Sequence, residues 1–222
     1  MKCDLCPRKC LVDRKKGEKG ICGQTENLKV ARAALHFWEE PCISGDAGSG
    51  AVFFSGCPLH CVFCQNENIA NGTVGKEISL ERLVDIFLEL QEKRANNINL
   101  VTPGHFVPQI VKALDQARKE GLTLPVVYNT SSYETVDTIK MLEGYVDIYL
   151  PDFKYMSPVL SKKYSHAPDY AEVAKAAIAE MVRQTGKAVF VNGDEDNLIL
   201  SGTIVRHLTL PGCMADSRSE ER

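Results

Sequence analysis

Residues 56–66 read Gly-Cys-Pro-Leu-His-Cys-Val-Phe-Cys-Gln-Asn, and they decide how the rest of the chain is interpreted. They contain three closely spaced cysteines, Cys57, Cys61 and Cys64. The apolar run 51–55 precedes them and stops at Gly56, which predicts a strand that leads directly into the cysteines. Three thiolates on one loop can hold three corners of a [4Fe–4S] cluster and leave the fourth iron open. Zinc is the alternative, but it more often takes paired Cys-x2-Cys motifs or added histidines, and only His60 is nearby.

Strand-like and helix-like segments alternate after these cysteines. Strands are predicted at residues 98–101, 125–129, 146–150 and 203–210. Helical periodicity is predicted from Leu80 with Ser79 as the N-cap, from Val107, from Val136, and over residues 169–185. The interval 187–202 predicts an exposed hairpin or loop. The alternation indicates right-handed βαβ crossovers, and therefore an α/β fold with a parallel sheet and about five βα units.

The composition divides the chain into two parts. Residues 1–50 are rich in Cys, Gly and Lys with weak periodicity, and they predict a metal-binding extension. Residues 51–222 predict the α/β core. Parallel sheets are normally covered on both faces and avoid bare edges, so a core that stops after five units looks truncated at its C-terminus.

A second group of cysteines lies in the extension. Its members are Cys3, Cys6, Cys10 and Cys22, with Cys42 as a candidate fifth. Their spacing is typical of metal ligands, and four thiolates indicate either a closed structural zinc site or an auxiliary iron–sulfur cluster. The spacing does not separate these two, although its departure from ferredoxin-like patterns slightly favours zinc. Unligated free thiols are the alternative.

The bulk composition excludes several classes of protein. The 222 residues are 44% hydrophobic and 25% charged, with a formal net charge of −3 and dispersed basic residues, so neither nucleic acid nor an anionic membrane is an expected partner. No apolar run is long enough to span a bilayer, and the N-terminus lacks the apolar core of a signal peptide. We therefore expect a cytoplasmic protein. In that reducing compartment the nine cysteines are better explained by metal sites than by a disulfide framework.

The cysteine motif, its position after the first strand and the βα series resemble the radical S-adenosylmethionine (SAM) superfamily. Residues 31–45 and 97–103 are similar to its pyruvate formate-lyase activating enzyme-like branch, and the resemblance extends over residues 3–212. It implies a partial (β/α)6 barrel in which Cys57, Cys61 and Cys64 bind a [4Fe–4S] cluster whose open iron holds the methionine part of SAM. Reductive cleavage of SAM would give a 5′-deoxyadenosyl radical for hydrogen abstraction.

The resemblance also implies partners. A reductant such as flavodoxin or ferredoxin would supply the electron, and a glycyl radical enzyme or another protein would be the substrate. Two alternatives are a radical SAM enzyme that acts on a small molecule and a truncated, non-catalytic iron–sulfur or metal-binding protein.

Further candidate site residues follow from the resemblance and from the predicted strand ends, because the C-terminal ends of barrel strands face the active site. The candidate cofactor-binding residues are Phe63, Thr102, Asn129, Thr130 and Asp152. The candidate catalytic residues are Lys154, Arg206 and His105. Phe63 would lie against the adenine, while Thr130 and Asp152 would help to bind a monovalent cation. Many superfamily members have Gly-Gly-Glu where this chain has residues 102–104, so backbone carbonyls would have to hold the methionine amino group here.

Each of these residues also has a structural interpretation. Phe63 would suit simple core packing, and His105 a solvated loop. Asp152 and Lys154 would form a surface ion pair of little value. Arg206 would form a structural salt bridge.

Overall fold

The computed structural model describes residues 2–194 and 197–218, and these form a mixed α/β fold around a nine-stranded sheet. The strands are β1 Lys29–His36, β2 Ser49–Phe54, β3 Lys76–Glu77, β4 Ile98–Val101, β5 Val126–Thr130, β6 Ile148–Phe153, β7 Val189–Phe190, β8 Ile199–Thr203 and β9 Arg206–His207. The α-helices are α1 Pro41–Ser44, α2 Glu67–Ala70, α3 Leu80–Glu92, α4 Val107–Lys119, α5 Val136–Lys140, α6 Pro158–Ser165, α7 Tyr170–Thr185 and α8 Met214–Arg218. Short 3-10 helices occupy Arg14–Lys16, Gly104–Phe106 and Val191–Gly193.

The sheet is parallel through its centre and antiparallel at its edges. Its strand order is β3-β1-β2-β4-β5-β6-β8-β7, and β9 pairs with β6. The pairs β2–β4, β4–β5, β5–β6 and β6–β8 are parallel, whereas β1 pairs antiparallel with both β2 and β3. The C-terminal ends of five neighbouring strands therefore lie along one edge, where ligands of such sheets bind.

The core explains why these segments fold as they do. Every residue of β5 is buried, as expected for a central parallel strand. Helix α3 begins at Ser79, whose hydroxyl accepts a hydrogen bond of 3.2 Å from the Arg82 amide. Its apolar face buries Leu83 and Phe87 against the sheet and α4. Amphipathic helices thus cover the sheet, and its loops are left to carry the polar groups.

The predicted α/β architecture with a parallel sheet is confirmed, and so are strand β4 and the N-cap of α3. The strand predicted at residues 203–210 is wrong in its bounds. Strand β8 ends at Thr203, and the Ile204 amide then donates to the Tyr149 carbonyl before β9 begins. The interval 187–202, predicted as a hairpin or loop, contains β7 and most of β8, which pair antiparallel as a hairpin. Residues 195 and 196 of that interval, and 219–222 of the predicted core, lie outside the described residues.

Strand β1 was missed because it lies in the Cys-rich extension and carries no apolar run. Most of its residues are only half-buried, so the burial that sequence patterns report is weak there. The extension therefore contributes residues 29–36 to the sheet, next to the first parallel strand. Within the described ranges, no helix combines the length and apolar character needed to cross a bilayer.

Candidate functional site

The loop that follows β2 carries Cys57, Cys61 and Cys64, here called the cysteine triad. Gly56 opens the loop with a φ of +89°, and a Cβ at this position would lie 2.4 Å from the Cys22 carbonyl oxygen. Only glycine fits this combination of a left-handed backbone and close approach. The loop then turns sharply, with the Cys64 amide donating to the Cys61 carbonyl at 3.0 Å. The triad is thereby held at the C-terminal end of the first parallel strand.

Two sulfur atoms of the triad, those of Cys57 and Cys61, accept hydrogen bonds. The Ser165 hydroxyl donates to Cys61 Sγ at 3.0 Å, and the Leu59 amide donates to Cys57 Sγ at 3.4 Å. Burial raises the pKa of Cys57 to about 11. Burial also raises the pKa of Cys61, while the Ser165 hydrogen bond and the Lys154 charge oppose that rise. Hydrogen bonds and positive charge around the sulfurs are the means by which proteins tune bound iron–sulfur clusters.

The triad fits a cluster better than a single ion. In residues 2–194 and 197–218, no three His, Cys, Asp or Glu side chains converge closely enough to bind one metal ion as they stand. A structural zinc ion takes four ligands, whereas the triad offers three thiolates, the number that leaves one corner of a cubane open. The mutual electrostatic influence of the three thiols places them in one neighbourhood. Together with the sulfur hydrogen bonds, this donor set suits three corners of a [4Fe–4S] cluster.

Phe63 lies within the apolar cluster beside the triad. Its ring centroid is 6.3 Å from those of both Tyr155 and Tyr164. This is the packing role weighed as the alternative, and the half-buried ring leaves part of its surface free. Contact between Phe63 and an adenine ring remains a prediction.

Four of the predicted site residues meet in one polar network at the strand ends, here called the strand-end network. Arg206 donates from Nε to Asp152 Oδ1 and from Nη2 to Asn129 Oδ1, both at 2.8 Å. Lys154 Nζ donates to Asp152 Oδ2 at 2.6 Å. All four residues are buried or half-buried, so the ion pairs are not the freely solvated surface pairs considered as the alternative. The network is next to the triad, since Phe153 and Tyr155, the neighbours of Lys154 in the chain, pack in one apolar cluster with Cys57 and Cys61.

Two acidic residues that were given no role from the sequence complete this network. Glu39 and Glu40 lie between β1 and α1, and their carboxylates are 3.2 and 3.7 Å from Arg206 Nη1. Burial raises the pKa of Glu39, and the charge of Arg206 opposes the rise. In the sequence, the local sign of a functional role for these residues was that two acidic residues stand side by side before Pro41. Their meeting with Arg206, far along the chain, depends on the sheet.

Thr130 and Thr102 lie beside this network, and the Thr102 amide donates to the carbonyl oxygen of Asn129 at 2.9 Å. Thr130 Oγ1 donates to Glu134 Oε1 at 2.8 Å. Thr102 has a φ of +54°, a conformation that β-branched residues rarely adopt and that concentrates at functional sites. Burial raises the pKa of the Glu134 carboxyl to about 7, against hydrogen bonds from Thr130 and Tyr128. Sequence reasoning missed Glu134, because no local pattern marks a carboxyl that tertiary packing buries.

His105 lies in a different place from the strand-end network. It is 2% exposed rather than solvated, and its Nε2 lies 2.7 Å from the Ser55 carbonyl oxygen. It lines a cavity whose other walls come from the extension. Its predicted contact with cofactor or substrate stays a prediction.

The four cysteines of the extension line that same cavity. Cys3, Cys6, Cys10 and Cys22, here called the cysteine quartet, surround a space of about 10 Å³ together with His105 and Arg14. Two arginines fasten the extension over the loops of the core. Arg8 donates from Nε to the Pro58 carbonyl at 2.8 Å, and Arg14 donates from Nη1 to the His105 carbonyl at 2.6 Å. Cys42 does not line the cavity but packs against the apolar cluster around Ile43.

Two comparisons with known proteins bear on this site. The sequence profile of the radical SAM superfamily matches residues 51–196. Over 215 residues the chain is 28% identical to an uncharacterized protein of Methanocaldococcus jannaschii, an alignment that covers 94% of this chain and 57% of that protein. The chain thus spans little more than half the length of this relative. The profile includes the triad, Asp152 and Lys154, but it does not extend to the quartet or to Arg206.

Proposed function

This chain belongs to the radical SAM superfamily, and we propose from that membership that it is a radical-generating enzyme. In this proposal Cys57, Cys61 and Cys64 bind a [4Fe–4S] cluster, and SAM occupies the neighbouring strand ends. When bound, the reduced cluster supplies one electron that cleaves the sulfonium C–S bond of SAM, giving methionine and a 5′-deoxyadenosyl radical for hydrogen abstraction. The activity, substrate and partners of a longer relative are not assumed.

One observation carries the proposal. The triad, whose three thiols leave one corner of a cubane unligated, lies beside a network of charged side chains at the C-terminal ends of β5 and β6. This is the edge at which parallel sheets bind their ligands. A cluster held by four cysteines has no open iron, so charged groups beside it could not orient a ligand on the cluster.

The charges of the network suit a cationic cofactor. The carboxylates of Glu39, Glu40 and Asp152 meet the cations of Lys154 and Arg206, so three negative charges face two positive ones. The surplus negative charge favours a sulfonium group. Lys154 and Arg206 would attract the methionine carboxylate by exchanging hydrogen bonds that they now donate within the network. The chain would thus bind and orient the cofactor while the apolar cluster around Phe63 limits access of water.

The test is SAM cleavage by the full chain. The protein is reconstituted anaerobically with iron and sulfide, reduced, and incubated with SAM, and 5′-deoxyadenosine is quantified. We expect 5′-deoxyadenosine and methionine in equal amounts. No 5′-deoxyadenosine from protein with a spectroscopically verified cluster would refute the proposal and favour a non-catalytic metal-binding protein.

We further propose that the hydrogen donor is a protein, as in the activating enzyme-like branch. Trp38 is 88% exposed and Phe37 is 53% exposed, and both directly precede Glu39 of the network. Exposed aromatic side chains of this size are typical of protein interaction sites. A glycyl radical enzyme would be the substrate, and flavodoxin or ferredoxin would be the electron donor. We also propose a reducing, cytoplasmic location, in which cysteines stay available as metal ligands.

This narrower proposal has its own test. A glycyl radical enzyme encoded in the same genome is incubated anaerobically with the reconstituted chain, reductant and SAM. Electron paramagnetic resonance should show a glycyl radical, and Trp38→Ala should reduce its yield without lowering the uncoupled formation of 5′-deoxyadenosine. Cleavage of SAM without any protein radical would instead favour a small-molecule substrate and leave the SAM proposal intact.

A further inference from the structure

The cavity lined by the quartet contains more metal-binding donors than the extension alone supplies. The thiols of Cys3, Cys6, Cys10 and Cys22 are joined there by the imidazole of His105. His105 does not belong to the extension, because it lies in the short helix Gly104–Phe106 that follows β4 of the core. Two parts of the chain that are far apart in sequence thus present thiol and imidazole groups to one enclosed space.

The hydrogen bonds of His105 leave one ring nitrogen free to bind a metal. A carbonyl oxygen can only accept, so Nε2 must carry the proton that is donated to the Ser55 carbonyl at 2.7 Å. Nδ1 then has a lone pair, and it is buried without a hydrogen-bond partner. Buried polar atoms are nearly always satisfied, so an orphaned lone pair calls for an explanation. Metal-bound histidines commonly donate their other N–H to a backbone carbonyl, as His105 does here.

The neighbouring groups do not satisfy this nitrogen. Arg14 lines the cavity, but its Nε and Nη1 hydrogen bonds go to the carbonyl oxygens of Thr25 and His105. Its positive charge offsets the negative charge that several thiolates would bring to one site. The environment therefore tolerates a metal–thiolate centre.

The size of the cavity favours one ion over a cluster. A volume of about 10 Å³ accommodates about one water-sized sphere, and a four-iron cluster is much larger. The donor chemistry agrees, because zinc takes cysteine and histidine ligands in closed tetrahedral sites.

The backbone of the extension already holds the cysteines around this space. The Cys3 amide donates to the Val12 carbonyl and the Leu11 amide donates to the Cys3 carbonyl, both at 2.9 Å. These two hydrogen bonds hold Cys3 next to the segment that contains Cys10. The Ile21 amide donates to Cys10 Sγ at 3.3 Å, next to Cys22. The side chains line the cavity without converging on one point, so binding would have to draw the donor groups closer together.

We propose that His105 Nδ1 and three thiolates of the quartet bind one zinc ion, which fastens the extension to the loop after β4. The fourth cysteine stays in the wall of the cavity. This centre is separate from the triad, and it holds the extension over the strand ends without taking part in SAM cleavage. The proposal stands whether or not the chain cleaves SAM.

The test uses the full chain with the triad changed to serine, so that iron bound there does not contribute. Elemental analysis of the purified protein should find one zinc per chain. X-ray absorption should show one nitrogen at about 2.0–2.1 Å and three sulfurs at about 2.3 Å from the ion. A shell of four sulfurs without nitrogen would overturn the role of His105. Iron with an equal amount of inorganic sulfide, or no bound metal, would overturn the zinc centre.

Variants of histidine separate ligation from packing. His105→Ala should lower zinc affinity at least about tenfold, while His105→Cys should retain the ion with an all-sulfur shell. The matched control is His166→Asn, which changes an exposed ring at a left-handed position where Asn is tolerated. A merely structural His105 predicts that His105→Cys is as defective as His105→Ala, and that result would contradict the proposal even if His105→Ala fails to fold.

Discussion

The cysteine triad and the cysteine quartet use the same side chain in two different environments. The triad lies half-exposed at the end of β2, with hydrogen bonds to its sulfurs and Lys154 close by. The quartet surrounds a small cavity of about 10 Å³ under the extension, enough for about one water-sized sphere. If the two proposed sites are correct, the access around the thiolates, rather than the number of cysteines, separates a reactive centre from a structural one. Four predictions test this comparison.

The largest effect is expected at the triad itself. Cys61→Ala removes a sulfur that accepts a hydrogen bond from Ser165, and it should abolish both the cluster absorbance and the formation of 5′-deoxyadenosine. The control Cys42→Ala changes a thiol that packs against apolar side chains, so it should leave both intact. Cleavage of SAM by Cys61→Ala at the wild-type rate would contradict the assignment of the triad, rather than the quartet, as the cluster site.

The contact between the two regions is tested at Gly56. Gly56→Ala combines a φ of +89° with a Cβ 2.4 Å from the Cys22 carbonyl, and it should lower the free energy of unfolding by about 3–5 kcal/mol. The control Gly17→Ala has a φ of +83° but nothing within 4 Å of the added Cβ, so only about 1–2 kcal/mol is expected. Chemical denaturation measures both. Equal losses would mean that the extension does not press against the triad loop.

The third prediction is that the free energy of unfolding depends on pH through Glu134, which lies near the quartet. Its pKa rises from the ordinary value of 4.5 to about 7 through burial, and its charge acts on Cys6 of the quartet. The folded state therefore holds this proton more tightly than the unfolded state. The resulting stability is full below about pH 4.5 and is lost as the pH rises to about 7, a change of about 3 kcal/mol.

Glu134→Gln should remove most of that slope in unfolding experiments between pH 4.5 and 8. Glu92→Gln, which changes an exposed carboxyl at the end of α3, should leave the slope as it is in the wild type. An unchanged slope in Glu134→Gln would show that the buried carboxyl is not the titrating group.

The smallest effect on the free energy of unfolding is expected from the strand-end network beside the triad. Arg206→Ala leaves Asp152 and Glu39 without their shared cation, and because these groups are only partly buried we expect a loss of about 1–3 kcal/mol. Arg82→Ala breaks an exposed pair with Glu89 and should cost less than about 1 kcal/mol. Thermal unfolding of the two variants compares them. If Arg206→Ala loses no more free energy of unfolding than Arg82→Ala does, Arg206 forms only an ordinary surface ion pair.

The sequence predicted the features that depend on local pattern. The strand before Cys57, the helix that begins after Ser79 and the parallel order of the central strands each follow from spacing within a short window. The convergence of Asn129, Asp152, Lys154 and Arg206 was also predictable, because each follows or lies in a strand of one parallel sheet. Arg206 and Asp152 lay in segments whose strand bounds differ from the prediction, since β6 extends to Phe153.

The missed features depend on contacts between distant segments. Glu39 reaches Arg206 only because β1 joins the sheet, and β1 has too little apolar character to be recognised. His105 followed a predicted strand, which suggested the cofactor site, but its burial beside the quartet depends on how the extension folds back. Such contacts leave no mark in the spacing of residues along the chain.

The central claim is that the triad leaves one iron open beside the strand-end network, and electron paramagnetic resonance tests it most directly. Spectra of the reduced, reconstituted chain are recorded with and without SAM. We predict that SAM changes the cluster spectrum of the wild type and equally that of His105→Ala, because the second site is separate. Identical spectra with and without SAM, from protein with a full cluster content, would contradict the claim.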